Sequence, residues 1–316
     1  MANEMALVRT SDFDPAETSG DASESARARW RCERLEAGQV LYFDTVPFDF
    51  PEADRQFLVS QRQSGSGLHK NISYRPRRDV LRGYASGKPE EVARAREIMR
   101  RYSAEVTRFL SGALAPYAAY WSLDYASFRP EEEAGRDLPL HKRNDLLHVD
   151  AFPTRPTHGG RILRCFTNIN PTASRVWTIT DRLPALANRF AREAGLNEIA
   201  QRGPLASASL LGKLQRLLGV AAAKRSAYDA FMLRFHDYLK ENSGFQETCP
   251  KIRLEFPPGS TWICYTDYVP HAVLSGRYAL EQTFIVPVGA LVTPAQAPIR
   301  VLERLAGRPL APVSAN

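Results

Sequence analysis

His148, Val149 and Asp150 place an imidazole and a carboxylate two positions apart. On an extended strand that spacing turns both side chains to one face, where both can donate to the same metal ion. A third donor, His271, follows the end of a strand reading over 261–266, after Asp267-Tyr268-Val269-Pro270. Two imidazoles and one carboxylate from neighbouring strands make the facial set that holds Fe(II) in non-haem oxygenases, with positions left open for a keto acid and dioxygen. Two plainer readings stay open. His148 and Asp150 can share a hydrogen bond in a non-catalytic binding module, or the three donors can hold zinc with a nucleophilic water. A strand reading from Arg277 to Val286 puts Arg277, Glu281 and Thr283 on one face. Arg277 then suits a bidentate pair with a distal carboxylate, and Thr283 adds a hydroxyl. A surface role for Arg277 in a Gly-Arg turn also remains.

The elements that must position these residues read as mainly β with α. Strand patterns run over 40–43, 46–50 around Pro47, 120–128, 161–170, 175–179, 251–256, 261–266 and 277–286. A helix opens at Pro89, with Val92, Ile98, Met99, Tyr102, Val106, Phe109 and Leu110 at helical spacing. Residues 181–242 form a helical insertion within the β text, carrying Leu186, Phe190, Phe231, Phe235 and Leu239. Residues 1–28 lack either period and are expected to be a disordered tail. Strands on both sides of a helical excursion, without a βαβ rhythm, favour an antiparallel barrel or sandwich. No glycine-rich phosphate loop, GxSxG elbow or GxxxxGK[ST] string is present, which removes three common enzyme classes.

At 316 residues, with 44% hydrophobic and 24% charged residues, the chain is long and apolar enough for a folded core. The four cysteines, Cys32, Cys165, Cys249 and Cys264, have neither zinc-cluster spacing nor a disulfide framework and are expected reduced. No apolar run reaches the length of a membrane span, and the first residues lack a secretory pattern, so a cytoplasmic location is expected. The net charge of +7 favours an anionic partner.

The run from His271 through Gly276-Arg277-Tyr278-Ala279-Leu280 resembles the final strands of Fe(II)/2-oxoglutarate-dependent hydroxylases, whose Arg-Tyr-Ala run binds the distal carboxylate of 2-oxoglutarate. Here Arg277 stands six positions after His271, fewer than is usual there, so the resemblance also implies Arg161 and Arg164, on the strand after the His-Asp pair, as fallback partners for that carboxylate. A closer resemblance covers roughly Leu35 to Pro287. It rests on Lys70-Asn71-Ile72-Ser73-Tyr74-Arg75-Pro76, Leu147-His148-Val149-Asp150-Ala151-Phe152-Pro153, Asn168-Ile169-Asn170-Pro171, Tyr228-Asp229-Ala230-Phe231-Met232-Leu233 and His236-Asp237-Tyr238-Leu239-Lys240. These strings are similar to those of the 3-deoxy-manno-oct-2-ulosonic acid (Kdo) hydroxylases.

The resemblance implies a double-stranded β-helix (jelly-roll, cupin-like) core with flanking helices, and a single dioxygenase domain over 29–316. It further implies Fe(II), 2-oxoglutarate and O2, with His148, Asp150 and His271 as ligands. The implied reaction is hydroxylation at C3 of the outer Kdo sugar of Kdo-lipid A to give Ko, in lipopolysaccharide inner-core biosynthesis. The alternatives are the same chemistry on another small acidic substrate and a non-catalytic cupin-like module. A polyanionic glycolipid suits the basic charge, with peripheral placement at the cytoplasmic face of a Gram-negative inner membrane and no role for nucleic acid. Candidate substrate contacts are His69, Lys70, Arg75 and Arg78, and His141 and Arg143. The stripe over 210–225, with Lys213, Arg216, Lys224 and Arg225 beside leucines, suits a headgroup layer as well as an ordinary packed helix.

Overall fold

The computed structural model describes residues 6–18, 20–61, 71–84, 88–202 and 225–312. His69, Lys70, Lys213, Arg216 and Lys224, and with them nearly all of the stripe over 210–225, lie outside the described residues.

Among the described residues, two β-sheets face each other. The larger has eight strands in the order β1 (Leu7–Arg9), β2 (Val40–Phe43), β9 (Thr261–Tyr265), β6 (Arg161–Asn168), β11 (Ala279–Val286), β5 (Ser122–Arg129), β3 (Ile72–Arg75) and β4 (Val80–Arg82). The smaller orders β10 (His271–Ser275), β7 (Arg175–Ile179) and β8 (Ile252–Phe256). Apart from the parallel β1–β2 pair, the ladders are antiparallel, as expected for a jelly-roll sandwich.

Strand alternation divides the large sheet into two faces. The outer face, with Tyr74, Ala126, Phe128, Leu163, Cys165, Ile263, Leu280 and Phe284, joins the main hydrophobic core. It is backed by α3 (Pro89–Ala113), which starts with Pro in the first turn and buries Ile98, Met99, Tyr102, Val106 and Leu110 at three- and four-residue steps. Burial of each such side chain contributes about 1.5–3 kcal/mol.

The inner face meets the small sheet through an aromatic plug. Phe256 stacks on Trp262 at 3.9 Å, Phe166 stacks on Trp262 at 5.3 Å, and Trp177 meets all three rings edge-on. Along the same face of β6 the next residue is Arg164 rather than another ring. The change from apolar to charged marks where the sandwich interior becomes a site.

The helical stretch expected over 181–242 is present in its described parts as α5 (Leu183–Phe190), α6 (Leu196–Arg202) and α7 (Ala227–Glu241), followed by α8 (Ser243–Thr248). All four cysteines are buried and free.

Three expectations are corrected. Residues 46–50 form no strand; Phe48 and Phe50 instead pack edge-on against Tyr102 of α3. The last strand starts at Ala279 and not at Arg277, because Gly276 (φ +113°) and Tyr278 (φ +59°) interrupt the pleat just before it. The N-terminal segment is docked rather than a free tail. Leu7–Arg9 pairs with β2, and Ser23 caps α1 (Glu24–Glu36) by accepting from the Ala26 N–H. Val8, Phe13, Ala26 and Trp30 form a small core there, with the Trp30 indole donating to Glu17. The signal was short: one capping serine and four apolar residues have no period that a sequence window detects.

Removing residues 1–20 is therefore expected to destabilise the protein by about 2–4 kcal/mol, since it strips Val8 and Phe13 from Trp30. Thermal denaturation checks this, and a melting temperature equal to that of the full chain would return the segment to a dispensable tail.

Candidate metal centre

The site is built on a two-way backbone bridge. His148 N–H donates to the His271 carbonyl at 3.1 Å, and His271 N–H donates back to the His148 carbonyl at 2.9 Å. Asp150 N–H donates to the Thr266 carbonyl at 2.8 Å, just beyond β9. The His-x-Asp segment thus spans from the edge of the small sheet to the end of a large-sheet strand, and its two alternate side chains face inward. One donor atom from each of His148, Asp150 and His271 lies within 4.8 Å of the others.

Each imidazole is oriented by its far nitrogen. His148 Nδ1 lies 2.7 Å from the Leu146 carbonyl and His271 Nδ1 2.9 Å from the Val269 carbonyl. A carbonyl only accepts, so both Nδ1 atoms carry the proton and both Nε2 lone pairs are free for a metal. Trp177 stacks on His271 at 5.0 Å and holds that ring flat. Burial pushes both imidazoles below the ordinary histidine pKa, which keeps them neutral and competent as ligands. Burial also disfavours the Asp150 anion, but the Arg164 guanidinium outweighs it and holds the carboxyl well below its usual range. Asp150 Oδ2 is buried without a hydrogen-bond partner. Two neutral nitrogens and a buried, unsatisfied carboxylate oxygen suit a divalent transition metal.

Beside the triad lies a small, partly open cavity between the sheets. Its walls include Phe166, Trp177 and Val273, and three arginines, Arg129, Arg164 and Arg175. Arg129 pairs with Glu281 at 2.5 Å. Arg164 lies 3.3 Å from both Asp150 and Glu281. Arg175 donates to the Gly276 carbonyl at 2.8 Å and reaches Glu133 only at 3.6 Å, while its Nε has no partner among the described residues. Burial, reinforced by Arg129, lowers the Arg175 pKa to about 10, so of the three it is the cation least compensated by the protein.

The basic residues read from sequence separate accordingly. Arg164 lines the cavity, and Thr283 pairs with it across the β6–β11 ladder on the same face. Arg161, an odd number of positions from Arg164, points to the opposite face, where it sits 3.6 Å from Asp267 and over the Tyr265 ring. Arg277 does not line the cavity. It lies outside the strand, its guanidinium over the Tyr278 ring and bonded to that hydroxyl. Ten residues after His271 stands Glu281, an acid held by Arg129 and Arg164 from the two neighbouring strands. His141 faces Asp237 and Glu241, and Arg143 pairs with Asp145, so neither reaches the cavity. Arg78 is exposed in the turn after β3. Arg129 and Arg175 were missed. The available signal was an arginine at the end of one strand, β5, and at the start of a buried one, β7.

The helices of the insertion hold the ligand segment from outside. Gln246 on α8 accepts from Leu147 N–H at 3.0 Å and donates to the Leu147 carbonyl at 2.9 Å, as a neighbouring strand would. His236 on α7 bonds the Val149 carbonyl at 2.7 Å and sets its ring edge-on to His148 at 4.9 Å.

A jelly-roll sandwich with this inward donor set defines a non-haem metal-dependent oxygenase. Residues 18–309 match the family model for 3-deoxy-D-manno-oct-2-ulosonic acid (Kdo) hydroxylase, and the chain belongs to that family. It is similar to the crystal structure of the Kdo hydroxylase KdoO, described as a non-haem Fe(II) alphaketoglutarate-dependent dioxygenase in complex with alphaketoglutarate and Fe(III). The identity is 33% over 98% of this chain and 99% of that one, with a TM-score of 0.80. The cobalt(II) complex of KdoO gives 34% identity, the same coverage and a TM-score of 0.81. No curated protein matches the chain.

His148→Ala, Asp150→Ala and His271→Ala are each expected to abolish tight Fe(II) or Co(II) binding while leaving a folded protein, as read by anaerobic metal titration beside circular dichroism. Wild-type affinity in any one of them removes that residue from the triad. Gln246→Ala is expected to weaken metal binding by about tenfold, the lower end for groups that support ligands from behind. An unchanged metal Kd would show that the Leu147 clamp is not needed to place His148.

Proposed function

We propose that this chain is an Fe(II)- and 2-oxoglutarate-dependent hydroxylase acting on a Kdo-containing glycan. The observation that carries the reading is the inward His-Asp-His set beside three arginines that line one cavity. With neutral imidazoles, Arg129, Arg164 and Arg175 balance Asp150, Glu133 and Glu281. A ferrous ion adds two positive charges to that balanced interior, and the 2-oxoglutarate dianion offsets them. A zinc hydrolase or a non-catalytic module has no such need for a guanidinium as poorly compensated as Arg175.

His148, Asp150 and His271 would hold the iron. When bound, iron with 2-oxoglutarate and dioxygen supplies the oxidation: the keto acid loses carbon dioxide to become succinate, and one oxygen atom passes to a substrate carbon. Arg175, which lines the cavity and is the least compensated of the three cations, receives the distal carboxylate, in place of the role first assigned to Arg277. Arg129 adds positive potential and holds Glu281 back. Arg164 keeps Asp150 ionised, and Thr283 lies beside it. Phe166, Trp177 and Val273 exclude water from one side of the cavity.

The finer reading is hydroxylation at C3 of the outer Kdo of Kdo-lipid A, giving Ko for the lipopolysaccharide inner core. The family supports the Kdo unit, and the net charge of +7 supports an acidic glycolipid. Among the described residues no helix is long and apolar enough to cross a membrane. Contact with the cytoplasmic face of an inner membrane is accordingly proposed as peripheral.

Anaerobic loading with Fe(II) and 2-oxoglutarate, followed by oxygen, tests the reading. Succinate and a Kdo-lipid A product heavier by one oxygen atom are expected, and their absence overturns it. Arg175→Ala is expected to raise the 2-oxoglutarate Kd by about ten- to a hundred-fold, the loss of a charge-assisted pair. A larger rise in Arg277→Ala than in Arg175→Ala would restore the sequence-based assignment.

A further inference from the structure

We propose that Arg75 and Arg155, arranged around Tyr125, form an anion subsite that takes an oxyanion of the acidic glycan; the proposal rests on the functional reading above. The strand registers place these groups. Thr283 of β11 pairs with Arg164 of β6. On its other side, the β11–β5 register shifts between Gln282↔Ala126 and Phe284↔Leu123, which leaves Asp124 and Tyr125 bulged opposite Thr283. The Gln282 amide pins that bulge by donating to the Asp124 and Tyr125 carbonyls at 3.1 and 3.4 Å. On β3, Tyr74 pairs with Ala126, so Arg75 comes next to Tyr125. Arg75, Tyr125, Thr283 and Arg164 therefore form a row across the inner face, and the row ends beside the metal-binding carboxylate.

A second chain of contacts reaches the same place from the ligand segment. Phe152, two residues after Asp150, has the Arg164 guanidinium 5.5 Å and the Arg155 guanidinium 4.2 Å from its ring centre. Arg155 also lies 3.9 Å from the Tyr125 ring centre, and Arg75 lies 5.0 Å from it. Stacking on a ring holds a guanidinium in one plane without cancelling its charge. Asp124 takes one edge of Arg155 at 2.5 Å. Arg75 is half-buried, makes no ion pair among the described residues, and its enclosed Nε has no partner.

Planar, fixed and incompletely neutralised guanidiniums match the fork geometry of a carboxylate or phosphate. The half-buried rings of Tyr125 and Phe152 offer apolar faces on which a sugar ring can lie. An acidic sugar held there would stand next to Arg164 and the metal ligands. The ligand chemistry is an oxyanion on a glycan, supplied by the sugar carboxylate or by a phosphate of the same molecule.

The test is steady-state hydroxylation of Kdo-lipid A in mixed micelles by Arg75→Gln and Arg155→Gln. Each is expected to raise KM by about tenfold or more with a smaller change in kcat, while the 2-oxoglutarate Kd stays at its wild-type value. Arg75→Gln breaks no ion pair and decides the matter if Arg155→Gln folds poorly. Wild-type KM in the folded variants, or a 2-oxoglutarate Kd that rises with the glycan KM, overturns the subsite. A wild-type protein that hydroxylates no Kdo glycan overturns the functional reading itself, so the two failures are distinct. Repeating the comparison with phosphate-free substrate separates the sources: a penalty that persists assigns the sugar carboxylate, and one that vanishes assigns the phosphate.

Discussion

The reciprocal pair of backbone hydrogen bonds between His148 and His271 is the interaction on which the rest of the site depends. It joins a loop segment ahead of β6 to the first residue of β10 and so brings together donors from distant parts of the chain. Backbone bonds are well suited to this task, because they set the separation of the two imidazoles without using the side chains. The Nδ1 bonds to Leu146 and Val269 then rotate each ring about its own axis. Position and orientation are thereby fixed by separate groups.

Around this bridge the sandwich divides its interior between two kinds of physics. At one end Phe166, Trp177, Phe256 and Trp262 pack as rings on rings. At the other, guanidiniums and carboxylates are buried where an isolated charge would be very costly. They persist as a mutually compensating set, with Glu281 shared by Arg129 and Arg164, and Asp150 in turn beside Arg164. Removing one member of such a set leaves its partners uncompensated, so the set contributes to stability as a unit. Arg175, the least compensated, is the one whose charge most needs an incoming anion.

The helical excursion acquires a purpose in this arrangement. Gln246 and His236 satisfy backbone groups of Leu147 and Val149 that no strand reaches on that side. A helical insertion thus completes the support that a regular sheet would give the ligand segment. On the opposite side the β5 bulge turns Tyr125 toward the same face as the arginines, which links the register of the sheet to the handling of charge.

Much was legible in the sequence because it depends on local pattern. The triad could be read from the two-residue spacing of His148 and Asp150 and from a histidine at a strand end. Strand alternation located β6, β7, β8 and β9 to within a residue or two, and Pro89 marked the start of α3. The family resemblance supplied the fold and the chemistry. What failed depended on phase and on neighbours. Arg277 was assigned by carrying alternation back through Gly276 and Tyr278, whose positive φ angles end the pleat. Arg161 and Arg164 look equivalent in sequence, yet three positions along a strand place them on opposite faces. Arg129 and Arg175 reach the cavity because β5 and β7 bring them there from different sheets, while His141 and Arg143 face nearby acids away from it. Residue types and their periods thus determined the metal donors and the sandwich. Only the tertiary structure decided which arginines face the cavity, because that depends on register between strands and on which charges compensate one another across the fold.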